Sequence, residues 1–241
     1  MTKPIAVVTG ASRGIGSAIA ERLLVDGYQV FNLDRQAPDS DNGITFVQGD
    51  LSEEEQTRAA FEQILNEGPI AALVNNAGIP GDMDLLEGQT VADMDRVYAI
   101  NMRAPVLCAQ RVIPGMREAG FGRIINITSR AHLGKAQRTA YGGSKGGLVS
   151  MTRVWAIELA DSGITCNAVA PGPVRTELFE KANPPDMPRT QQIIDGIPVK
   201  RIGEPDDIAN AVSYFADQRS GFVTGQVLCV CGGTMLTRGG S

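Results

Sequence analysis

Short apolar runs alternate with longer segments of helical periodicity through most of the chain. Six such runs, rich in branched residues, lie at 5–9, 29–34, 44–48, 70–75, 123–129 and 164–170. Between them, segments such as 14–27 and 53–67 repeat apolar residues at the spacing of one helical face. Strands that alternate with helices in this way form parallel sheets covered by helices on both faces. The chain is therefore predicted to have an α/β fold with a doubly wound sheet.

The length and composition fit one large domain. The 241 residues are within the range of a single α/β domain, and 43% hydrophobic with 20% charged residues is an ordinary globular composition. The proline-rich stretch 171–198 is too interrupted by proline for one helix and too long for a tight connection, so it is predicted to be a mobile flap. Ser52 and Glu55 form a capping-box pattern at the start of the second helix. We expect residues 1–241 to form a single domain.

Composition also disfavours several kinds of protein. No apolar run approaches the roughly 20 residues that span a bilayer, and the first residues do not resemble a secretion signal, so we expect a cytoplasmic protein. Cys108, Cys166, Cys229 and Cys231 would then be free thiols. With His132 as the only histidine, no metal site is expected. A net charge of −5 does not favour nucleic-acid binding.

The first predicted strand leads into TGASRGIG, which places Gly10, Gly14 and Gly16 at a turn between strand and helix. Glycines allow a tight turn and let a diphosphate approach the free amides at the helix N-terminus. The spacing is looser than GxGxxG and lacks the lysine of a P-loop. Asp34 follows at the end of the second strand, where a carboxylate accepts hydrogen bonds from ribose hydroxyls. Together these residues predict dinucleotide binding.

The residues around Asp34 give opposing signals about which dinucleotide is bound. Asp34 would repel the 2′-phosphate of NADP, whereas Arg35 and Arg13 could attract it. A carboxylate within reach of the ribose also excludes the phosphate sterically, and the arginines are free to extend into solvent. NAD is therefore the favoured cofactor, and NADP is the alternative.

Tyr141 and Lys145 lie four residues apart at the start of a predicted helix, on one face. A phenol titrates near pH 10, so a tyrosine that acts as a base near pH 7 needs its pKa lowered by about 3 units, or roughly 4 kcal/mol. Lys145 and an oxidised nicotinamide ring are two sources of the necessary positive charge. Ser129, at the end of the preceding strand, is placed to bind the same substrate oxygen. Taken alone, the pattern also fits a half-buried tyrosine beside a solvated lysine.

A series of motifs in this order resembles the classical short-chain dehydrogenase/reductase family over essentially the whole chain. The motifs are TGASRGIG, GDL at 49–51, NNAG at 75–78, Asn101 in YAINMRAP, Ser129, YGGSK, PGPVRT at 171–176 and GQVLCVCGG. The resemblance implies a Rossmann-like, seven-stranded parallel sheet in a three-layer αβα arrangement. It also implies hydride transfer between a nicotinamide ring and an alcohol or carbonyl carbon, and a homotetramer.

The resemblance further implies roles for individual residues. Tyr141 resembles the acid/base, and Ser129 resembles the residue that orients the substrate oxygen. Lys145 would lower the tyrosine pKa and bind the nicotinamide ribose, and Asn101 would anchor a water that relays the proton. Cofactor contacts are implied for Gly10, Ser12, Arg13, Gly14, Ile15, Gly16, Asp34, Arg35, Asp50, Leu51, Asn76, Ala77, Gly78, Tyr141, Lys145, Pro171, Gly172, Val174 and Thr176. Among these, Asp50 and Leu51 would contact adenine, and Val174 and Thr176 would fix the carboxamide. Residues from about 177 to 198 would form the substrate lid.

Two positions depart from the family pattern. Cys231 stands where a VDGG-like closing strand has aspartate, which affects the expected C-terminal subunit contact. Acyl-carrier-protein reductases often carry basic residues just before the serine strand and before the sixth strand, and this chain has Gly120 and Ser162 there. The second departure weakens the interpretation as an acyl-carrier-protein reductase.

Residues 129–145 are basic in a chain that is acidic overall, with 27 Asp and Glu against 22 Lys and Arg. Arg130, His132 and Arg138 lie between Ser129 and Tyr141, so we expect this loop to border the substrate pocket. One hypothesis is that one or two of them bind an anionic group on the substrate, such as a carboxylate. The alternative, slightly favoured by the residues alone, is that they are solvated or pair with acids of the lid or of a neighbouring subunit.

The favoured function is an NAD-dependent oxidoreductase that interconverts a secondary alcohol and a ketone of small-molecule size, with Tyr141 as acid/base. The alternative enzyme is an NADPH-dependent 3-oxoacyl-thioester ketoreductase of the acyl-carrier-protein type, in which Arg13 and Arg35 would have to override Asp34. A non-catalytic dinucleotide sensor on the same fold is a third hypothesis. It is disfavoured because all four residues of the catalytic type are present.

Overall fold

The computed structural model describes residues 2–40 and 42–236, so residues 1, 41 and 237–241 of the predicted 1–241 domain lie outside it. Its strands form one seven-stranded sheet in the order β3-β2-β1-β4-β5-β6-β7, and every pair is parallel. In chain order the strands are β1 (Ile5–Thr9), β2 (Gln29–Asp34), β3 (Thr45–Gln48), β4 (Ile70–Asn75), β5 (Gly122–Ile127), β6 (Ile164–Pro171) and β7 (Val227–Val230). The predicted seven-stranded, Rossmann-like sheet is confirmed.

Helices cover both faces of this sheet. In chain order they are α1 (Gly14–Val25), α2 (Glu54–Leu65), α3 (Val91–Tyr98), α4 (Ala104–Ala119), α5 (Thr139–Leu159), α6 (Glu177–Ala182), α7 (Pro188–Asp195) and α8 (Pro205–Ala216). A π-helical turn, Ala99–Arg103, joins α3 to α4, and a 3-10 turn, Arg130–Leu133, follows β5. Within the described residues, every helix is too short or too polar to cross a membrane.

Two apolar cores lie on opposite faces of the sheet and give the three-layer arrangement. On one face, α2 and α4 contribute Phe61 and Met116 to the core that contains Val7 of β1. On the other face, α1 and α8 pack Leu23 and Phe215 into the core that contains other β1 residues. The alternation along β1 follows from the two-residue period of a strand. Each fully buried side chain of this size contributes roughly 1.5–3 kcal/mol to folding.

The strand order positions the functional site. Because β1 pairs with both β2 and β4, the chain leaves β1 toward one edge of the sheet and later returns to the other side of it. The loops that leave the strands on the two sides of β1 turn away from each other above the carboxyl ends of the strands. They leave a crevice between them. Residues that directly follow β1, β4, β5 and β6 therefore meet at one edge of the sheet.

Two local features differ from the sequence predictions. The proline-rich stretch contains the short helices α6 and α7. The predicted capping box at Ser52 is wrong, because Ser52 donates its hydroxyl and its amide to Asp50, at 2.7 and 2.9 Å, and α2 begins after Glu53. An acceptor two residues back along the chain competes with the helix amide for the serine side chain.

Candidate active site

The turn from β1 to α1 is anchored to the neighbouring strand β2. Gly10, at a φ of 67°, donates its amide to the Leu33 carbonyl at 2.9 Å. The amide of Ala11 donates to Asn32 Oδ1 at 3.0 Å, which fixes the next residue of the turn. Asn32 is 1% exposed and was not predicted as a site residue, although a polar residue inside an apolar strand is a signal that could have identified it.

The glycine turn packs too closely on the segment after β4 for any side chain. A Cβ on Gly16 would lie 2.2 Å from the Gly10 carbonyl oxygen and 2.5 Å from Asn76 Nδ2. The residue before α1, Arg13, makes no side-chain cap, so the first amides of the helix have no such partner. An uncapped helix N-terminus beside a glycine cradle fits the diphosphate of a dinucleotide.

Thr9 and Asn76 join the ends of β1 and β4. Thr9 Oγ1 accepts hydrogen bonds from the amides of Asn76 and Ala77, both at 3.0 Å. Asn76 Nδ2 in turn donates to the carbonyls of Thr9 and Gly10, both at 2.9 Å. Thr9 is 1% exposed, and the sequence motifs predict no role for it. This network holds the two sides of the crevice at a fixed separation.

Asp34 ends β2 with its carboxylate turned toward the glycine turn. Its Oδ2 accepts from the amide of Ser12 at 3.2 Å, and its Oδ1 accepts from the amide of Gln36 at 3.3 Å. Arg13 extends away to Glu177 of α6, with Nη1 3.9 Å from Oε2. The guanidinium that could bind a 2′-phosphate is therefore beside an acid of the predicted lid.

The predicted adenine residues follow β3. Asp50 is half-buried and Leu51 is 6% exposed. The amide and hydroxyl of Ser52 donate to Asp50 and hold the pKa of its carboxyl below the usual value, and Arg35 makes a smaller contribution in the same direction. Both Arg35 and Asp50 therefore lie near the end of β2, as a shared adenosine site requires.

Ser129, Tyr141 and Lys145 come together above β5. Ser129 Oγ accepts the amide of Ala131 at 3.2 Å, and it also hydrogen-bonds the Tyr141 hydroxyl. Lys145, one turn along α5, donates to the Ile127 carbonyl at 2.8 Å, with Nζ 5.9 Å from the centre of the Tyr141 ring. The predicted catalytic residues are thus neighbours in space.

Burial, rather than charge, dominates the protonation of this group. It raises the pKa of Tyr141, while the Ser129 hydrogen bond and the Arg138 charge lower it by less. Burial also lowers the pKa of Lys145 to about 8. This differs from the expectation that Lys145 would depress the tyrosine pKa, because both groups are desolvated together and each is poorer at holding a charge. In the protein alone, Tyr141 is a neutral phenol.

Asn101 lies in the π-helical turn and is completely buried. Its Oδ1 accepts from the amide of Ile79 at 2.9 Å, and its Nδ2 donates to the Ile79 carbonyl and to Ser144 Oγ, both at 3.0 Å. A Cβ on Gly78 would be 3.2 Å from both Asn101 Oδ1 and Lys145 Nζ. Asn101 therefore ties the loop after β4 to α5, and its water-anchoring role stays a prediction.

The segment after β6 reaches back to the glycine turn. Pro171 ends β6, and Gly172 donates its amide to Val230 at 2.9 Å. Val174 is buried, and Thr176 caps α6 by accepting from Phe179 at 3.2 Å. A Cβ on Gly14 would lie 3.6 Å from the Thr176 methyl group. The predicted carboxamide residues are thus placed across the crevice from the predicted diphosphate site.

Two of the three predicted substrate cations bind the backbone. His132 Nδ1 lies 2.7 Å from the Ser129 carbonyl, which can only accept, so this nitrogen carries a proton. Arg138 Nη1 donates to the carbonyls of Pro80 and Gly81 at 3.1 and 3.4 Å. Arg130 is half-buried at the start of the 3-10 turn. The loop between Ser129 and Tyr141 is thereby fastened to the loop after β4.

Within the described residues, no three His, Cys, Asp or Glu side chains gather as a metal site. The four cysteines are free thiols, with Cys108 and Cys166 buried and Cys229 and Cys231 half-buried.

Comparison with known proteins agrees with this geometry. A family model described as Enoyl-(Acyl carrier protein) reductase matches residues 10–235. The chain is 38% identical to (2S)-[(R)-hydroxy(phenyl)methyl]succinyl-CoA dehydrogenase subunit BbsD of Thauera aromatica, over 98% of each chain. It is 36% identical to acetoacetyl-CoA reductase of Cupriavidus necator, over 97% of this chain and 98% of that one. The crystal structure of levodione reductase superposes with a TM-score of 0.90 at 29% identity, over 98% of this chain and 99% of the other.

The chain therefore belongs to the classical short-chain dehydrogenase/reductase family. It is an oxidoreductase of the kind that uses a nicotinamide dinucleotide.

Proposed function

We propose that the protein is an NAD-dependent dehydrogenase that interconverts a secondary alcohol and a ketone. The observation that carries the proposal is the contact between the Ser129 and Tyr141 hydroxyls, with the Lys145 ammonium buried one turn along the same helix. This group lies at the same edge of the sheet as the glycine turn and Asp34. A dinucleotide held by the turn would extend its reactive end toward the two hydroxyls.

The predicted cofactor contacts remain proposals, and their placement supports them. The free amides after Arg13 would bind the diphosphate, and Asp34 would accept hydrogen bonds from the adenosine ribose. Val174 and Thr176 would hold the carboxamide. The carboxylate of Asp34 is fixed by two backbone amides, so it cannot easily turn away from a 2′-phosphate. This rigidity favours NAD over NADP.

Ser129, Tyr141 and Lys145 would each have a separate role in the proton transfer. Bound NAD would supply the hydride acceptor. Ser129 Oγ accepts the Ala131 amide, and its hydroxyl hydrogen would turn from Tyr141 to the substrate oxygen when substrate binds. Tyr141 Oη takes the proton from the alcohol or returns it to the ketone oxygen. Because burial opposes the phenolate, Tyr141 needs the Lys145 ammonium and the positive charge of the oxidised cofactor to act as a base.

A second candidate is an NADPH-dependent 3-oxoacyl-thioester ketoreductase. It is favoured by the similarity to one relative, the acetoacetyl-CoA reductase of Cupriavidus necator. The same side chains would serve in the reducing direction, since neutral Tyr141 is ready to donate its proton. The pairing of Arg13 with Glu177 and the fixed Asp34 argue against the NADPH part of this candidate. The homotetramer and the lid over residues from about 177 to 198 remain predictions of the resemblance, and the cytoplasmic location remains a prediction from the sequence.

Initial rates with secondary alcohols, 3-hydroxyacyl thioesters and the corresponding ketones, each with both dinucleotides, test the proposal. We expect turnover with NAD or NADH that disappears in Tyr141→Phe. Activity that survives in this variant would overturn the mechanism. A preference for NADPH with a thioester would support the second candidate function instead.

A further inference from the structure

Asn32 places a polar side chain in the middle of β2. It is 1% exposed, and its sequence neighbours Phe31 and Leu33 belong to the apolar core. A buried amide costs free energy unless its donor and its acceptor both have partners. The glycine turn supplies both partners, because Asn32 Oδ1 accepts the amide of Ala11 at 3.0 Å and Nδ2 donates to Ser12 Oγ at 2.9 Å. A side chain of β2 therefore holds two consecutive residues of the turn that follows β1.

The partners of Asn32 also fix the direction of its amide group. A backbone N–H only donates, so the atom that faces Ala11 must be the oxygen Oδ1. The amino group then faces Ser12 and donates to the hydroxyl oxygen. Ala11 is 3% exposed, so its buried amide would lose this acceptor if position 32 were apolar.

The hydroxyl of Ser12 extends this constraint to the segment after β2. Because Asn32 donates to Ser12 Oγ, the single hydroxyl hydrogen is directed to another acceptor, which is the carbonyl of Gln36. The Ser12 amide donates to Asp34 Oδ2 at 3.2 Å, and the Gln36 amide donates to Asp34 Oδ1 at 3.3 Å. Ser12, Asp34 and Gln36 thus form a closed ring of hydrogen bonds, and Asn32 orients the hydroxyl that closes the ring.

The backbone beside this ring is held by the end of β3. The amide of Gly49 donates to the Asp34 carbonyl at 3.0 Å, and Gln48 Nε2 donates to the Arg35 carbonyl at 3.3 Å. These contacts fix the main chain but not the Asp34 carboxylate, which is partly exposed. The direction of the carboxylate depends on the Ser12 and Gln36 amides. If the bond between Ser12 Oγ and Gln36 is lost, the carboxylate can rotate to another staggered conformation in solvent.

We propose that Asn32 is a positioning residue for the choice of dinucleotide. Through Ser12 it holds the Asp34 carboxylate in the direction in which the carboxylate accepts ribose hydroxyls and excludes a 2′-phosphate. The inference rests on the proposed function, because it takes Asp34 to bind the adenosine ribose. Since Asn32 is buried, it acts through Ser12 and Asp34 and not by a contact of its own with the dinucleotide.

Binding of NADH and NADPH to Asn32→Leu tests the proposal, with fluorescence titration as the measurement. Leucine keeps the branched shape of asparagine and removes both hydrogen bonds. We expect the Kd of NADH to rise about tenfold, and the ratio of the Kd of NADPH to that of NADH to fall about fivefold. The ratio falls because a carboxylate that turns away no longer binds the ribose and no longer repels a 2′-phosphate. An unchanged ratio would overturn the proposal, even if both dinucleotides bound more weakly.

Asn167→Leu is the matched control. Asn167 lies in β6 and is also 1% exposed, and it also uses both ends of its amide group on the backbone. Its Nδ2 donates to the Val223 carbonyl at 2.8 Å, and its Oδ1 accepts the Gln226 amide at 3.0 Å. The control should lower the free energy of unfolding and leave the Kd ratio unchanged. An equal fall of the ratio in Asn167→Leu would show that the ratio reports general loosening of the fold, which contradicts the proposal.

Two further variants keep the test decisive if leucine does not fit in β2. Asn32→Ala removes the same hydrogen bonds without overpacking and should lower the ratio in the same way. Ser12→Ala keeps the contact between Asn32 and Ala11 but opens the ring, so it should also lower the ratio. The double variant of Ser12→Ala with either Asn32 variant should show no larger fall than the Asn32 variant alone, because both changes act through one hydroxyl. Additive falls, or an unchanged ratio in Ser12→Ala, would overturn the role of Ser12.

Adenosine fragments separate this proposal from the proposed function. Adenosine 5′-monophosphate and adenosine 2′,5′-bisphosphate would be titrated into the protein without cofactor, with thermal unfolding as the readout. If no alcohol is turned over but the ratio of the two affinities depends on Asn32, the proposal stands while the proposed function fails. If alcohols are oxidised with NAD and the ratio is the same in the wild type and Asn32→Leu, the function stands and the proposal fails. A wild type that binds neither the dinucleotides nor the fragments would overturn both.

Discussion

The ammonium of Lys145 lies 2.8 Å from the carbonyl oxygen of Ile127, the last residue of β5. The lysine is 3% exposed and has no acidic partner within the described part of the chain. Burial lowers its pKa to about 8. Because this buried ammonium has no counter-ion, it lowers the free energy of unfolding of the protein when no cofactor is bound.

Lys145→Met should therefore stabilise the cofactor-free protein while abolishing turnover. The folded-state pKa of about 8 is below the value of 10.5 for an unfolded lysine, so the unfolded chain holds the proton more tightly between these values. Below pH 8 the folded wild type bears the full cost, about 3 kcal/mol as an upper figure. Urea unfolding at several pH values should show the advantage of the variant shrinking from pH 8 to 10.5. An advantage that is constant over this range, or also seen in the exposed control Lys3→Met, would contradict the explanation.

Tyr141→Phe and Ser129→Ala should lose turnover and keep cofactor binding. Removing a general acid or base costs about 10²–10⁴ in rate, and neither hydroxyl is needed to hold the dinucleotide at the glycine turn. Steady-state kinetics and NADH fluorescence titration measure the two properties on one preparation. If the Tyr141→Phe protein bound NADH more than tenfold more weakly than the wild type, the role of Tyr141 in cofactor binding would outweigh its predicted role as acid/base.

Asp34→Ser should change the choice of dinucleotide. The carboxylate is held in place by the amides of Ser12 and Gln36, and its removal leaves space for a 2′-phosphate. We expect the ratio of kcat/KM for NADP to that for NAD to rise by about two orders of magnitude, since like-charge contacts cost several kcal/mol. Adding Glu177→Gln, which releases Arg13, should raise the ratio further. An unchanged ratio in the single variant would remove Asp34 from the selection of cofactor.

Gly16→Ala should be among the most damaging small substitutions in the chain. Its new Cβ would meet the Gly10 carbonyl at 2.2 Å, which forces the glycine turn away from Asn76. We expect a loss of about 2–4 kcal/mol in the free energy of unfolding and weaker NAD binding. Gly115→Ala in α4 is the matched control, because its Cβ has an ordinary contact at 3.8 Å with Pro69. The control should be neutral or slightly more stable.

Cys231 should react with thiol reagents before the other cysteines. Burial raises the pKa of its thiol, but hydrogen bonds from Met235, Thr234 and Gly233 more than offset this, and the net pKa is lowered. Burial raises the pKa of Cys108 to about 12. Titration with a chromogenic disulfide near neutral pH should give one fast phase, which Cys231→Ser removes. A fast phase that survives in this variant would assign the reactive thiol elsewhere.

Much of the fold follows from local pattern. Six strands were predicted close to their observed positions because each is a short apolar run, rich in branched residues, between helical segments. The glycine turn, Tyr141 and Lys145 were found from their spacing, since positions one helical turn apart must share a face.

Other parts of the site depend on contacts that sequence patterns do not encode. Ser52 could bond to the helix or to Asp50, and only the bend after β3 decides between them. The raised pKa of Tyr141 depends on how completely the loops cover it.

After β3 the chain crosses to β4, on the far side of β1. This crossing separates two groups of functional residues in the sequence. The residues proposed to choose the dinucleotide precede residue 52, and those proposed to choose and convert the substrate follow residue 100. A relative could therefore exchange its first strands for those of another and acquire a new cofactor preference, provided that Thr9 and Asn76 still joined the two parts. In such a fold, cofactor and substrate specificity can be inherited separately.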